Sequence, residues 1–307
     1  MTKVLVATEK PFAKAAVDGI RKIVEEAGFE LALLEKYTDH NDLIKAVADV
    51  DALIVRSDKV TKEVVDAAKN LKIVVRAGAG YDNLDLAACS AKGVVAMNTP
   101  GQNSNAVAEL AIGMMIYMAR NQFQPVSGTE IAGKKIGIHA YGNVGKLVAK
   151  YGKGFGMEVF AFDPFVDKAV IENDGVKPVG SIEELYSTCD YVSLHIPANE
   201  KTKKSIGYDL LSKMPQGATL VNTARKEVID EDGLKKVLEE RPDFKYATDI
   251  MADCHAELVE KFQGRVFATP KKMGAQTKEA NVNAGLAAAR QIVAYIKNGD
   301  TTFQVNK

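Results

Sequence analysis

Few stretches of this 307-residue chain combine glycine spacing with polar side chains in a way that suggests chemistry. One is Lys134-Lys-Ile-Gly-Ile-His-Ala-Tyr-Gly-Asn-Val-Gly-Lys146. Its apolar run, Ile136 to Ala140, predicts a strand, and Val144, Leu147, Val148 and Tyr151 follow at helical spacing. Gly142 and Gly145 between them would let backbone approach a bound phosphate and let helix pack closely on strand. The N–H groups and positive dipole end that open such a helix suit a pyrophosphate. Ala140 stands where G-x-G-x-x-G has its first glycine, and it should require only that the turn tolerate a methyl group. Asp163 ends the next expected strand, 18 residues past Gly145, where a carboxylate would hold ribose hydroxyls and repel a 2′-phosphate. That favours NAD over NADP. An Asp-Pro turn at a strand end is the plainer alternative.

Three arginines also follow apolar strand patterns. Arg225, after Val221, could grip a carboxylate bidentately and polarise a neighbouring carbonyl, or simply cap a helix. Arg56 and Arg76 follow Leu53–Val55 and Ile73–Val75, and Ala77-Gly-Ala-Gly-Tyr-Asp-Asn83 offers a turn whose amides could form an anion nest. Together they suit a substrate with a carboxylate and a phosphate; either arginine alone could be a structural ion pair. His195 lies just after a strand pattern and before Pro197, as in a cofactor-wall loop, whereas His139 sits inside a strand as a core residue. His40 and His255 carry no signal, and no cluster has metal-ligand spacing.

The elements that position these residues alternate strand and helix twice. Strands are predicted at 4–7, 31–34, 52–55, 73–75 and 94–96, then at 136–140, 158–162, 192–194, 219–221, 246–248 and 266–268. Helices are predicted at 13–27, 43–47, 104–120 and 277–296. Short apolar strands alternating with helices imply parallel sheets covered on both faces. The fold class expected is therefore α/β, with two doubly wound parallel-sheet domains: a Rossmann NAD domain (99–277) inserted into a flavodoxin-like substrate domain (1–98 with 278–307).

Equal numbers of basic and acidic residues, 40 each, argue against nucleic acid or an anionic membrane as partner. The longest apolar run, Ala106 to Ala119, carries Glu109 and is too short to cross a bilayer. Three scattered cysteines suggest reduced thiols and a cytoplasmic setting.

From about residue 50 to 285 the chain resembles the D-2-hydroxyacid dehydrogenases, most of all the short D-3-phosphoglycerate dehydrogenases. The likeness rests on Ile54-Val-Arg-Ser57, Arg76 to Asp85, Asn98-Thr-Pro-Gly101, Gly137 to Gly145 and His195-Ile-Pro197. Asn222-Thr-Ala-Arg225, Ala247-Thr-Asp-Ile250 and Thr269 to Ala280 extend it in family order. The resemblance implies NAD-dependent oxidation of 3-phosphoglycerate to 3-phosphohydroxypyruvate, the first step of serine biosynthesis, by a homodimer. By matching position, Arg225 would orient substrate, with Arg56, Arg76, Gly78 and Ala79 near its phosphate and carboxylate. Asn143, Val144, Asp163, His195, Pro197, Thr202, Thr223 and Asp249 fall on cofactor-contacting positions.

The chain departs from the family in three places. Where relatives read Thr-Pro-His-Leu-Gly-Ala and place the acid/base histidine, this chain reads Thr269-Pro-Lys-Lys-Met-Gly-Ala275. The supporting glutamate falls near Asp253-Cys-His-Ala256. The stretch between Arg120 and Lys135, which in the family contributes to the dimer contact, is short. No regulatory domain is expected after the two-domain core. The expectation is that Lys272, or else Lys271, takes the histidine's role, its ammonium destabilised by burial and by Arg225. A glycerate or hydroxypyruvate/glyoxylate reductase of the same fold is the alternative enzyme, and a dinucleotide-sensing protein the alternative outside enzymes.

Overall fold

A computed structural model describes all residues, 1–307. The chain divides into two compact units, Met1–Asn103 with Gln276–Lys307, and Ser104–Ala275. The breaks lie slightly inside the sequence-based boundaries because local bonds hold the linkers. Thr99 N–H donates to Gly78 O (2.9 Å), tying that linker to the first unit. Gly274 N–H donates to Asp249 Oδ2 (2.7 Å), tying the other linker to the second.

In the first unit the order is β1 (Lys3–Thr8), α1 (Lys14–Glu26), β2 (Glu30–Glu35), α2 (His40–Ala46) and β3 (Ala52–Val55). Next come α3 (Lys62–Ala67), β4 (Ile73–Arg76), α4 (Leu86–Ala91) and β5 (Val95–Asn98), with α12 (Lys278–Asn298) returning from the end of the chain. The sheet is parallel in the order β2-β1-β3-β4-β5, the flavodoxin-like order. β3 is buried along its whole length and β2, at the edge, is half-exposed, as their continuous and mixed apolar patterns require. α12 packs on α1 through small residues. At Gly285 a Cβ would come within 3.0 Å of Ile20 Cδ1, so glycine allows the close approach. Thr277 caps α12 through Ala280 N–H, and Gly299 ends it in the left-handed region.

The second unit opens with α5 (Ser104–Ala119), then β6 (Lys135–His139), α6 (Asn143–Gly154), β7 (Glu158–Phe162), α7 (Lys168–Asn173) and β8 (Lys177–Pro178). It continues through α8 (Ile182–Thr188), β9 (Tyr191–Leu194), α9 (Tyr208–Leu211), β10 (Thr219–Asn222) and α10 (Glu231–Glu240). β11 (Lys245–Thr248), α11 (His255–Lys261) and β12 (Val266–Ala268) complete it. Its seven strands run parallel in the order β12-β11-β10-β9-β6-β7-β8. This is the dinucleotide-binding arrangement, reversing at the β6/β9 boundary. α5 is apolar on nearly all sides and lies against α6, β10 and β11, burying Met114, Met115 and Met118. No helix in the chain is long and apolar enough to cross a membrane.

Three local readings change. β8 was missed because two residues ending in Pro178 carry no periodic signal; proline is tolerated there because the strand is at the sheet edge. β6 stops at His139 rather than Ala140, since Ala140 turns into the left-handed region (φ 82°). The polar stretch after α5 begins with three left-handed residues, Asn121, Gln122 and Phe123. They are held by Lys245 Nζ on Asn121 Oδ1 (3.0 Å), Gln122 Nε2 on Val266 O (3.1 Å) and Phe123 edge-on to Tyr117. All three cysteines are free thiols, Cys89 and Cys189 buried.

Candidate functional site

Parallel strands in register deliver the loops after β6, β7, β9, β10, β11 and β12 to one edge of the second unit's sheet. The loop after β6 is the sharpest. Ala140 takes φ 82°, Gly142 precedes α6, and no side chain caps that helix. Its opening amides are therefore left for an anion. A Cβ on Gly145 would lie 2.2 Å from Ala140 O, so glycine is demanded by strand–helix contact. A Cβ on Gly142 would meet nothing within 4 Å, so no protein atom requires that glycine; open space stands in front of the amides. Ala140 does more than tolerate a methyl group: its left-handed backbone costs about 1–2 kcal/mol for a residue with a Cβ. Asn143 and Val144 form the first turn of α6.

Asp163, just after β7, is tied to this turn. Its Oδ2 accepts from Tyr141 N–H and its Oδ1 from Phe165 N–H, both at 2.8 Å. The carboxylate thus stands beside the open amides, where a ribose would follow a pyrophosphate. After β9 and β10 two buried polar atoms have no partner in the protein, His195 Nε2 and Thr223 Oγ1. They follow Leu194 and Asn222, which face one another in the ladder. Orphaned buried polar atoms carry a penalty unless a ligand or water meets them. Open amides, a placed carboxylate and two orphaned polar atoms fit a dinucleotide.

Two residues expected at the cofactor are engaged otherwise. The Thr202 hydroxyl closes its own loop, donating to Pro197 O (2.5 Å) and accepting from Asn199 N–H (2.8 Å). Asp249 is 1% exposed, and both its oxygens are taken up by the 269–274 segment.

Arg225 is half-buried after β10, its Nη1 on Ala224 O at 2.9 Å. A residue the sequence reading passed over shapes its loop. Asn222 is fully buried; its Oδ1 accepts from Ala224 N–H and its Nδ2 donates to Arg225 O, both at 2.9 Å. An asparagine at a strand end, able to bond backbone two residues on, was the available signal. Lys271 and Lys272 follow β12, at the same sheet edge as Arg225. Both are exposed, so the burial expected to destabilise an ammonium is absent here, because they lie in the irregular stretch after β12 and not in a packed element. Asp253, near the position of the missing glutamate, is exposed and pairs with Lys226 at 2.5 Å.

The first unit gathers Arg56, Arg76, Gly78 and Ala79. Arg56 Nη1 donates to Lys10 O (2.9 Å) and Pro11 O (3.2 Å), Nη2 donates to Asn281 Oδ1 (2.5 Å), and the guanidinium lies over Phe12. Burial, partly offset by Asp58, lowers its pKa from the ordinary arginine value. Much of its donor capacity is thus spent on the protein. Arg76 Nε donates to Arg56 O (3.0 Å), and its guanidinium lies so close to Gly78 that a Cβ there would overlap it. Asn98 Nδ2 holds Ala79 O (2.6 Å), while no protein acceptor takes the Ala79 and Gly80 amides. Asp58 was also missed. Buried at the strand end, it accepts from Arg56 N–H (3.1 Å), Glu9 N–H (2.7 Å) and Tyr37 OH (2.8 Å).

His139 is a core residue, its Nδ1 3.3 Å from Tyr186 OH. Burial, opposed by Asp163, lowers its pKa to about 4; burial and then His139 lower that of His195 to about 3. Neither is a ready proton carrier near neutrality. No group of three or more His, Cys, Asp or Glu is arranged to hold a metal.

Two expectations follow. Gly142→Ala should unfold in urea like the parent yet bind NADH more weakly, whereas Gly145→Ala should lose about 1–3 kcal/mol of stability from overpacking; equal NADH affinity in Gly142→Ala and the parent would remove the phosphate seat. The second concerns acid. An unfolded histidine titrates near 6.5, so above that pH neither buried histidine alters the balance. As pH falls from about 6.5 towards 4, the unfolded chain takes up protons that the folded chain refuses, and stability drops. Urea midpoints at pH 7.5 and pH 5 should converge in His139→Gln relative to the parent; an unchanged gap would show that His139 is not responsible.

Residues 106–270 match the family described as D-isomer specific 2-hydroxyacid dehydrogenase, NAD binding domain. A D-3-phosphoglycerate dehydrogenase of Methanocaldococcus jannaschii is 36% identical over 95% of this chain, which spans 57% of that relative's length. A hydroxypyruvate reductase of Thermotoga maritima is 34% identical over 86% of this chain and 90% of its own. Among solved structures, an NAD+-bound 3-phosphoglycerate dehydrogenase of Entamoeba histolytica superposes with a TM-score of 0.87 at 48% identity, covering 100% of this chain and 99% of that one. A D-2-hydroxyisocaproate dehydrogenase, at 21% identity and a TM-score of 0.83, shares the fold. With open amides, Asp163 and the two orphaned atoms at the sheet edge, and with these relatives, the chain belongs to the D-isomer specific 2-hydroxyacid dehydrogenases and carries their NAD-binding domain.

Proposed function

We propose that this protein oxidises 3-phospho-D-glycerate to 3-phosphohydroxypyruvate with NAD, the entry step of serine biosynthesis. The observation that carries this reading is the end-to-end likeness to the Entamoeba histolytica enzyme. NAD, when bound, supplies the hydride acceptor. Asp163 takes the ribose hydroxyls, and the open amides of α6 take the pyrophosphate. Arg225, on its Asn222-shaped loop, holds the substrate carboxylate and polarises the C2 oxygen. As the C2 hydrogen leaves with its electron pair, the hydroxyl proton passes to Lys272. Lys272 is exposed, and desolvation by bound substrate would disfavour its ammonium form.

A hydroxypyruvate reductase is the second reading, favoured by the Thermotoga maritima relative and by Arg56, whose donors are largely spent within the protein. NADH oxidation decides between them. Phosphohydroxypyruvate is expected to exceed hydroxypyruvate in kcat/KM by at least about tenfold, roughly one good charged contact; the reverse order would establish the reductase. In the same assay Lys272→Ala should lose about 10²–10⁴ in kcat with NADH affinity kept. If instead Lys271→Ala fails and Lys272→Ala is unaffected, the proton acceptor is Lys271.

The protein is further proposed to be a homodimer that uses the short 121–134 stretch, where Phe123 and Val126 are 68% and 63% exposed. Sedimentation should give a dimer mass that Phe123→Asp reduces to a monomer; a monomeric parent would end this proposal.

A further inference from the structure

The buried carboxylate of Asp249 has no role in the scheme above, and its surroundings assign it one. It follows β11, between the strand that leads to Arg225 and the strand that leads to the lysines. Asp249 Oδ1 accepts from Met273 N–H at 2.7 Å and lies 2.8 Å from the Thr269 hydroxyl; Oδ2 accepts from Gly274 N–H at 2.7 Å. The same hydroxyl lies 2.8 Å from Lys271 O. Every one of these donors belongs to the six residues that carry Lys271 and Lys272.

The turn is clamped from its other side as well. A Cβ on Gly274 would come within 2.9 Å of Asp249 Oδ2 and 3.1 Å of Val107 Cγ2 on α5. Consecutive amides converging on one carboxylate form an anion nest in which the anion is part of the protein. A charged acceptor in a site closed to water makes bonds stronger than a neutral one would. The two lysine residues are exposed, while the backbone of their turn is held by Asp249 and Thr269.

We propose that Asp249 is a positioning residue: its carboxylate sets the 269–274 turn so that the acid/base lysine meets the C2 oxygen. This rests on the lysine reading of the reaction. It assigns Asp249 to the turn rather than to the cofactor, each carboxylate oxygen meeting a donor of the 269–274 segment, and NADH affinity distinguishes the two roles.

Asp249→Asn keeps the shape but turns one acceptor into a donor facing an N–H or hydroxyl, opening the turn. In that variant the Met273 and Gly274 amides should exchange hydrogen at least about tenfold faster than in the parent. kcat should fall by about 10²-fold, the scale of a misplaced catalytic group, while the NADH dissociation constant stays within about twofold. An NADH constant that rises in step with the loss of kcat, with exchange unchanged, would return Asp249 to the cofactor. Faster exchange with full kcat would show that the turn need not be held.

If Asp249→Asn does not fold, the Thr269 pair tests the same clamp. Thr269→Val should lose activity and Thr269→Ser should recover it to within about threefold; a fully active Thr269→Val would overturn the proposal. Failure of the lysine reading itself looks different. Then Lys271→Ala and Lys272→Ala would both keep the parent's kcat, whatever the exchange rates at Met273 and Gly274.

Discussion

A single parallel register governs the second unit. Because seven strands run the same way, each strand's C-terminal end opens at one edge, and the polar groups of six separate loops collect there. Nothing in the chain's charge favours this gathering, since the formal net charge is zero. The driving force is burial: β9 and β10 are covered on both faces, and each fully buried Val, Leu or Ile contributes about 1.5–3 kcal/mol. The apolar strands set the frame, and loop chemistry at the edge depends on it.

At that edge the same device recurs: a strand-end carboxylate or amide disciplines a turn. Asp163 holds the turn after β6, Asn222 holds the loop of Arg225, and Asp249 holds the lysine turn. Asp58 does likewise at the end of β3 in the first unit. Backbone leaving a buried strand carries amides that water no longer reaches, and a short polar side chain one to three residues on is well placed to accept them. The side chains proposed for catalysis then sit on turns whose shape is set by bonds the reaction does not consume.

If Lys272 takes the role proposed for it, the turn must provide more than it would for a histidine. Histidine brings a pKa near neutrality, while an unperturbed lysine lies near 10.4 and must be brought down by its surroundings. A glutamate beside it would push the wrong way, and Asp253, near the sequence position of that glutamate, pairs with Lys226. The two histidines close to the sheet edge offer no substitute, because burial keeps both neutral. Desolvation by bound ligands is one such lever, and it acts only if the lysine is held where those ligands arrive.

Sequence alone determined most of the strands, the parallel sheets, the glycine turn and the family, because period, turn residues and motif order are local properties of the chain. It placed His139 in the core for the same reason. What it left open depends on which distant residues meet. Asp249 lies 24 or 25 positions from the amides it accepts, and Arg56 lies 225 positions from Asn281. No spacing rule links such pairs, so Asp249 reads as a cofactor contact and Arg56 as a free phosphate ligand until the fold shows their partners. The exposure of Lys271 and Lys272 was hidden for the same reason. Burial is a property of packing against the rest of the chain, and only the tertiary structure decides it.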